Sequence, residues 1–328
     1  MEADANAGRP RIVYVCTRDH FYTFRSPKTW LEDRGVAVAI ADFERLLCCD
    51  ALPPATYILT DFDRLSPTEL TVMGHLYQRL SAAGLTVLND PRRFCDRAGL
   101  IRRLRRAGLS DFDCWLPAHG ERPDRYPVFL RTISGHRGVQ GDLLTDAGAV
   151  EAALSAAAAE GLPESDLVLI EYAAEPHPET GRFQKRAGHR VGAAIVRGAT
   201  VNDSDWIAKF GVEGGATAAQ YAEERAEMED DPWRETVAAV FDVAGMDYGR
   251  IDFGLVGGRP QIYELNTNPS VGGKLEHPNE DRVQTLKKLA AQLTDALAAI
   301  ARPPGGPDIS LDGLYQPGRY KPRIPRRL

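Results

Sequence analysis

The sequence predicts an α/β protein that opens with a small parallel-sheet unit, and three observations carry the prediction. Continuous apolar runs recur early, at RIVYVCT (11–17), VAVAI (36–40), YILT (57–60) and LTVLN (85–89). Strands of this kind are buried on both faces, as in a parallel sheet. Helical segments lie between or after these runs, so strands alternate with helices over about 90 residues. Much later, YGRIDFGLVGGRPQIYELNTNPSVGG (248–273) sets polar residues into strand period in a way that a core alone does not require.

The 328 residues are 43% hydrophobic and 26% charged, enough for two or three domains with sizeable cores. A net charge of −6 weighs against a nucleic-acid partner. The chain has no apolar run long enough to span a membrane, and MEADANAGRP lacks the basic and apolar regions of a secretory signal, so a cytoplasmic location is expected. The cysteines at 16, 48, 49, 95 and 114 form no CxxC or Cys/His pair of metal spacing and are expected as free thiols.

In the first unit, Ser66-Pro67-Thr68-Glu69 supplies an N-cap, a proline at the first helical position and a glutamate at the third, for a helix ending near Gly84. Asp19, Asp61 and Asp63 stand just beyond strand ends, where ligands of such sheets bind. Residues 89–109 then read as a basic helix stopped by Gly108, and charge alone would make it a solvated face. YPVFLRT (126–132) is a buried strand leading into the loop Ser134-Gly135-His136-Arg137-Gly138, short and cationic as a cover over phosphates should be. Thr145 is expected to cap an alanine-rich helix over 146–160, and DLVLIEYAAE (166–175) is a further strand. HRVGAAIVRGATV (189–201) alternates as two strands around Arg197-Gly198. Residues 216–245 hold two helices broken at Pro232, with EERAEMEDD as a solvated face. Residues 279–301 form an amphipathic helix, and from Arg302 the chain turns Pro/Gly-rich and basic, suiting a loose tail or an arm in a homodimer.

The late strand pair carries the chemistry. In 250–256 the period of two puts Arg250, Asp252 and Gly254 on one face; in 261–266 it groups Ile262, Glu264 and Asn266. Glu264 and Asn266 are then roughly 7 Å apart along one side of a strand. With a plain two-residue turn at Gly257-Gly258, Asp252 would face Tyr263 and lie opposite in sense to Glu264. A three-residue loop through Arg259, or a bulge, brings Asp252 against Glu264 and Arg250 against Asn266. Two carboxylates so placed repel unless a cation holds them. Magnesium suits all-oxygen ligands with water or phosphate completing its shell, and manganese is the alternative. Two carboxylates on the wet face of a strand pair would be the plainer reading, but the polar pattern runs on through Asn-Thr-Asn-Pro into a Gly-rich loop.

GRIDFGL followed by YELNTNPSVGG resembles the metal-binding end of the ATP-grasp superfamily, in particular D-alanine:D-alanine ligases and glutamate-adding ligases. The resemblance covers about residues 89–300. It implies an ATP-grasp fold, two α+β lobes clamping ATP, after the small parallel-sheet domain, with divisions at 1–90, 91–301 and 302–328. It also implies that Asp252, Glu264 and Asn266 hold the metal and that Arg250 meets the phosphates or a developing acyl phosphate. Arg97 and Arg131 stand where the family carries lysines that reach the nucleotide. Glu171, Tyr172 and Ala173 match the inter-lobe hinge that reads adenine, with Glu175 or Glu179 for the ribose. Arg190 is implied as a phosphate or acidic-substrate contact, and Lys209 as a weaker one. The implied activity is ATP-dependent joining of a carboxylate to an amine through an acyl phosphate. A kinase, or a nucleotide-binding scaffold without turnover, is the alternative.

Overall fold

The computed structural model describes residues 8–134, 138–208, 215–272 and 275–314. The first unit contains β1 (Arg11–Cys16), α1 (Arg25–Glu32), β2 (Ala37–Asp42), α2 (Phe43–Leu47), β3 (Ala51–Leu52), β4 (Thr56–Leu59), α3 (Pro67–Ala82) and β5 (Val87–Leu88). Its sheet has the order β2-β1-β4-β5 with every pairing parallel, as the apolar runs predict. Ser66 and Glu69 form the expected capping box on α3.

A second group contains α4 (Arg97–Arg106), β6 (Cys114–Trp115), β7 (Val128–Thr132), β8 (Val139–Leu144), α5 (Ala147–Ala159) and β9 (Leu167–Glu171), with the antiparallel order β6-β9-β7-β8. The third contains β10 (Phe183–Val191), β11 (Ala194–Arg197), β12 (Val201–Asp203), α6 (Ala218–Asp230), α7 (Arg234–Ala244), β13 (Tyr248–Val256), β14 (Arg259–Asn266), α8 (Glu280–Ile300) and β15 (Ile309–Ser310). Its sheet runs β11-β10-β13-β14, with β12 also on β10.

Five elements differ from the sequence expectation, each for a local reason. The basic helix begins at its Asp96 cap, not at 89, because Asn89 is committed elsewhere. Fully buried, Asn89 donates to the carbonyls of Leu59 and Tyr248 and accepts from the N–H groups of Asp247 and Tyr248, stitching the first sheet to β13. Asp146 rather than Thr145 caps α5, accepting from Ala149 N–H at 2.9 Å. The hairpin after β10 turns at Gly192, which has φ +60°, and not at Arg197-Gly198. In the acidic run of α6, Glu224 and Glu227 are not solvated. Glu224 pairs with Arg282, and Glu227 bridges the buried Arg186 and Arg197 at 2.9 and 2.5 Å. Finally, residues 302–314 are packed: β15 pairs with β3, Arg302 bridges to Arg11, and Leu311 and Leu314 are buried.

One apolar core runs from Val13, Tyr57 and Leu76 of the first unit into Val240, Phe241 and Ile251 of the third. A second joins Tyr14 and Phe24 to Leu293 and Leu297 of α8. The middle sheet has a core of its own, around Val128, Leu144 and Leu169. It faces the rest across a cavity. The five cysteines are free thiols, as expected.

Candidate active site

The site is built on β13 and β14. Their turn is the two-residue Gly257-Gly258, with Val256 against Arg259, so the three-residue loop is not what sets the register. A bulge does: pairing runs regularly to Phe253 opposite Ile262 and then jumps to Asp252 opposite Glu264, leaving Tyr263 extra. Arg250 falls opposite Asn266, and all four polar groups share one face. Gly254 makes the bulge fit, since a Cβ there would lie 2.1 Å from the Tyr263 Oη. The Tyr263 hydroxyl, kept protonated by burial, donates across to the Ala173 carbonyl at 3.1 Å.

Around the two carboxylates stand four cations. Arg250 grips Asp252 with two bonds, 2.7 and 3.1 Å, and Lys185 Nζ lies 3.4 Å from the same carboxylate. Arg97 donates to Glu264 from both terminal nitrogens at 3.2 Å, and Arg131 donates to the same oxygen from one, Nη2, at 3.3 Å. Asp252 is 2% exposed. Burial, and then the charge of Arg97, pulls the Arg131 guanidinium down to about 10, still fully charged at neutral pH. Burial works against the Arg250 charge too, but Asp252 and then Glu264 outweigh it and raise its pKa. The Nε–H groups of Arg97 and Arg131 are buried without any partner, which leaves two strong donors unmet, Arg97 beside a smaller cavity and Arg131 beside a large one.

That cavity, about 620 Å³, lies between the middle sheet and the β13–β14 face. Phe129, Tyr172 and Trp206 form an aromatic wall, with ring centroids 5.0 and 5.4 Å apart at Trp206. Glu171, Tyr172 and Ala173 line the cavity, although the Glu171 carboxylate points to Arg125 (3.1 Å) and to the Asp113 N–H (3.0 Å).

Three expected residues lie elsewhere. Glu175 is outside the lining; its carboxylate accepts from Gly257 N–H at 2.7 Å and fastens the β13–β14 turn. Glu179 is exposed. Arg190 points from the opposite face of β10 to Asp242 (2.5 Å) and the Gly192 carbonyl (2.9 Å). Its place is taken by Lys185, five residues earlier on the same strand. The period of two from Asp252 through its partner Ala187 picks out Lys185, but only once β10 is read as starting at 183. His136 and Lys209 lie outside the described residues, as does most of the 134–138 loop.

The first unit also reaches the cavity, through His20, Tyr22, Thr23 and Arg64. Asp61, buried and held at φ +56°, accepts from the N–H and hydroxyl of Thr17 at 2.8 Å each and meets His20 Nδ1 at 2.8 Å. A carboxylate at that distance holds the proton on Nδ1. Nε2 makes no hydrogen bond among the described residues. Asn268 Oδ1 accepts from Tyr14 (2.6 Å) and Thr23 (2.7 Å), joining the loop after β14 to the first sheet. Of the other two aspartates, Asp63 lines a smaller neighbouring cavity and Asp19 is exposed.

The donor set suits a hard cation: two carboxylates and the amide oxygen of Asn266 on one face, with phosphate or water to complete the shell. Among the described residues no group of three or more His, Cys, Asp or Glu gathers for a metal. No helix is long and apolar enough to cross a membrane.

No family model matches the sequence, and no curated protein matches it. Solved structures do. The ATP-grasp ligase PsnB complexed with a minimal precursor is 16% identical, with TM-score 0.53, covering 89% of this chain and 99% of that one. PsnB with the precursor peptide PsnA2 and AMPPNP is 14% identical, with TM-score 0.50 over 90% and 98%. A RimK-domain ATP-grasp protein from Sphaerobacter thermophilus is 14% identical at TM-score 0.49, over 89% and 99%. At such identities the likeness of PsnB establishes the fold.

Proposed function

We propose that this chain, which has the ATP-grasp fold, is an ATP-dependent ligase that joins a carboxylate to an amine through an acyl phosphate. The observation that carries the reading is the cleft of four cations against two carboxylates, with two guanidinium Nε–H groups still unpaired. Such a surplus of buried positive charge calls for a polyanion.

Asp252, Glu264 and Asn266 would hold magnesium, or manganese on the same oxygens, and the metal would supply charge neutralisation at the β- and γ-phosphates. Arg97 and Arg131 swing part of their hydrogen bonding from Glu264 to phosphate oxygens, bidentately where a lysine could not. The aromatic wall takes the adenine, beside the backbone of 171–173. A substrate carboxylate oxygen attacks the γ-phosphorus and ADP leaves; Arg250 and Lys185 stabilise the charge of the acyl phosphate. The amine nitrogen then attacks the acyl carbon, phosphate departs, and His20 Nε2 takes the proton that the amine gives up, with Asp61 holding the imidazole in the required tautomer. The relative PsnB, complexed with peptides, makes a peptide substrate one reading of the carboxylate or amine partner. The division at 1–90, 91–301 and 302–328, and a homodimer, are proposed with it.

The test is ADP release in the presence of magnesium and paired carboxylates and amines. A ligase needs both partners and yields an amide. A phosphorylated product that needs no amine would make the protein a kinase, and tight ATP binding without ADP release would make it a scaffold.

A further inference from the structure

Behind the Lys185–Asp252–Arg250 cluster lies a second recess, about 210 Å³ in volume, that shares those three residues with the large cavity. Its floor is the same face of β10 and β13, and its walls come from three separate parts of the chain. Leu286, Leu289 and Leu293 of α8 form one side, Trp30 of α1 another, and Val271 with Leu275 the third. The wall at 271–272 is pressed onto the first unit: Gly272 has φ +93°, and a Cβ there would lie 2.4 Å from the Ser26 Cβ and 3.0 Å from the Trp30 ring. In its lining sits His189, 5% exposed, whose imidazole makes no hydrogen bond or ion pair among the described residues. Burial, and then Arg250 and Arg197, press its pKa down to about 3, so it is neutral at physiological pH. A buried imidazole without a partner is an unmet hydrogen-bonding group.

We infer that this recess receives the side chain of the carboxylate substrate, and that it selects an apolar acid, aromatic or branched aliphatic, bearing one uncharged polar group that His189 meets. The inference rests on the ligase reading for the position of the acyl end, which Arg250 and Lys185 would hold at the mouth of the recess. The size follows from volume. A dry cavity of about 150 Å³ holds a benzene ring, so this one takes about eight non-hydrogen atoms, a hydroxyphenyl or similar group. The class follows from charge. Arg250, Lys185 and Asp252 are paired with one another at the mouth, so a second carboxylate or an ammonium pushed past them among three leucines, a tryptophan and a neutral imidazole would lose its hydration without a counter-ion of its own.

The probes are acetate, succinate, 3-phenylpropanoate and 3-(4-hydroxyphenyl)propanoate, with hydroxylamine as the amine and ATP and magnesium present. Hydroxamate formation and ADP release read turnover; saturation-transfer NMR on the magnesium–ADP form reads binding. The aromatic acids are expected to exceed acetate and succinate by at least about 30-fold in kcat/KM, and the phenol to exceed the phenyl by about 3- to 10-fold. Leu289→Trp should abolish binding of both aromatic acids while leaving ATP affinity unchanged. His189→Leu should remove the phenol preference and keep the phenyl acid. Aromatic acids that bind and are excluded by Leu289→Trp, without ADP release from any acid, would keep the recess and overturn the ligase reading. Turnover of succinate or acetate above the aromatic acids, no binding of the aromatic acids, or selectivity that follows the amine instead, would overturn the inference.

Discussion

Arg131 carries the sharpest single-residue expectation. Its guanidinium is mostly buried and has an Nε–H without a partner, so it offers more hydrogen bonds than Glu264 uses. Truncation to alanine should cost about 2 to 4 kcal/mol of nucleotide binding, roughly 30- to 1000-fold in affinity by calorimetry. Arg131→Lys should recover only part, because an ammonium lacks the planar fork. Equal ATP affinity in wild type and Arg131→Ala would remove it from the site. Glu264→Gln keeps volume and deletes a carboxylate charge, so the fold should persist by circular dichroism while most ATP-dependent activity disappears. His189 gives a pH signature. Its folded pKa of about 3 lies below the ordinary 6.5, so between those values the unfolded chain binds a proton that the folded one refuses. Stability should therefore fall as pH drops from 7 to 5, by about 2 kcal/mol from this site, and His189→Leu should flatten the urea midpoint over that range. Much of the polar face was legible because Asp252, Glu264 and Asn266 obey strand period. Glu175 and Arg190 were not, because a charged side chain near a site can turn to a local partner, Gly257 N–H or Asp242, that spacing alone does not reveal.

At the level of elements, the bulge at Tyr263 decides whether the two carboxylates meet. The turn alone would separate them, as strand period predicts for Gly257-Gly258. Gly254 inside a strand was the available signal, since an interior strand glycine often marks a bulge or a close approach. Gly254→Ala forces the Tyr263 ring aside and should destabilise the protein by about 1 to 3 kcal/mol in denaturant titration, with magnesium-dependent activity lost more steeply than stability. Tyr263→Phe, which keeps the ring and loses only the bond to Ala173, should cost about 1 kcal/mol and retain activity. Unchanged activity in Gly254→Ala would show that the register does not depend on this contact. The start of β10 stayed hidden for a related reason. Phe183–Val191 carries Lys185 and Arg186 on opposite faces, one over the cavity and one in a buried pair with Glu227, so neither face reads as apolar.

On the scale of the whole molecule, one face of the middle sheet has a separate core and the other packs on α4 and Tyr263, whereas the first and third units share theirs. Magnesium–ATP lying between the middle sheet and the β13–β14 face should raise the melting temperature. At a hundred times its Kd the gain is about 2.7 kcal/mol, and chelation of the metal should remove most of it. The alternation of strands and helices made the first unit legible, since each early strand is a continuous apolar run. The sharing of cores was not legible, because Asn89 and Asn268 join the units through buried hydrogen bonds that carry no periodic signal. The packed segment after α8 adds an order of events. β3 is two residues long, and the strand that pairs with it, β15, lies about 250 residues further along, last in order among the described residues. A growing chain thus leaves the ribosome with that edge of its first unit unsealed, its backbone groups open to water and to other chains, until the segment carrying Ile309 and Leu311 emerges to cover it.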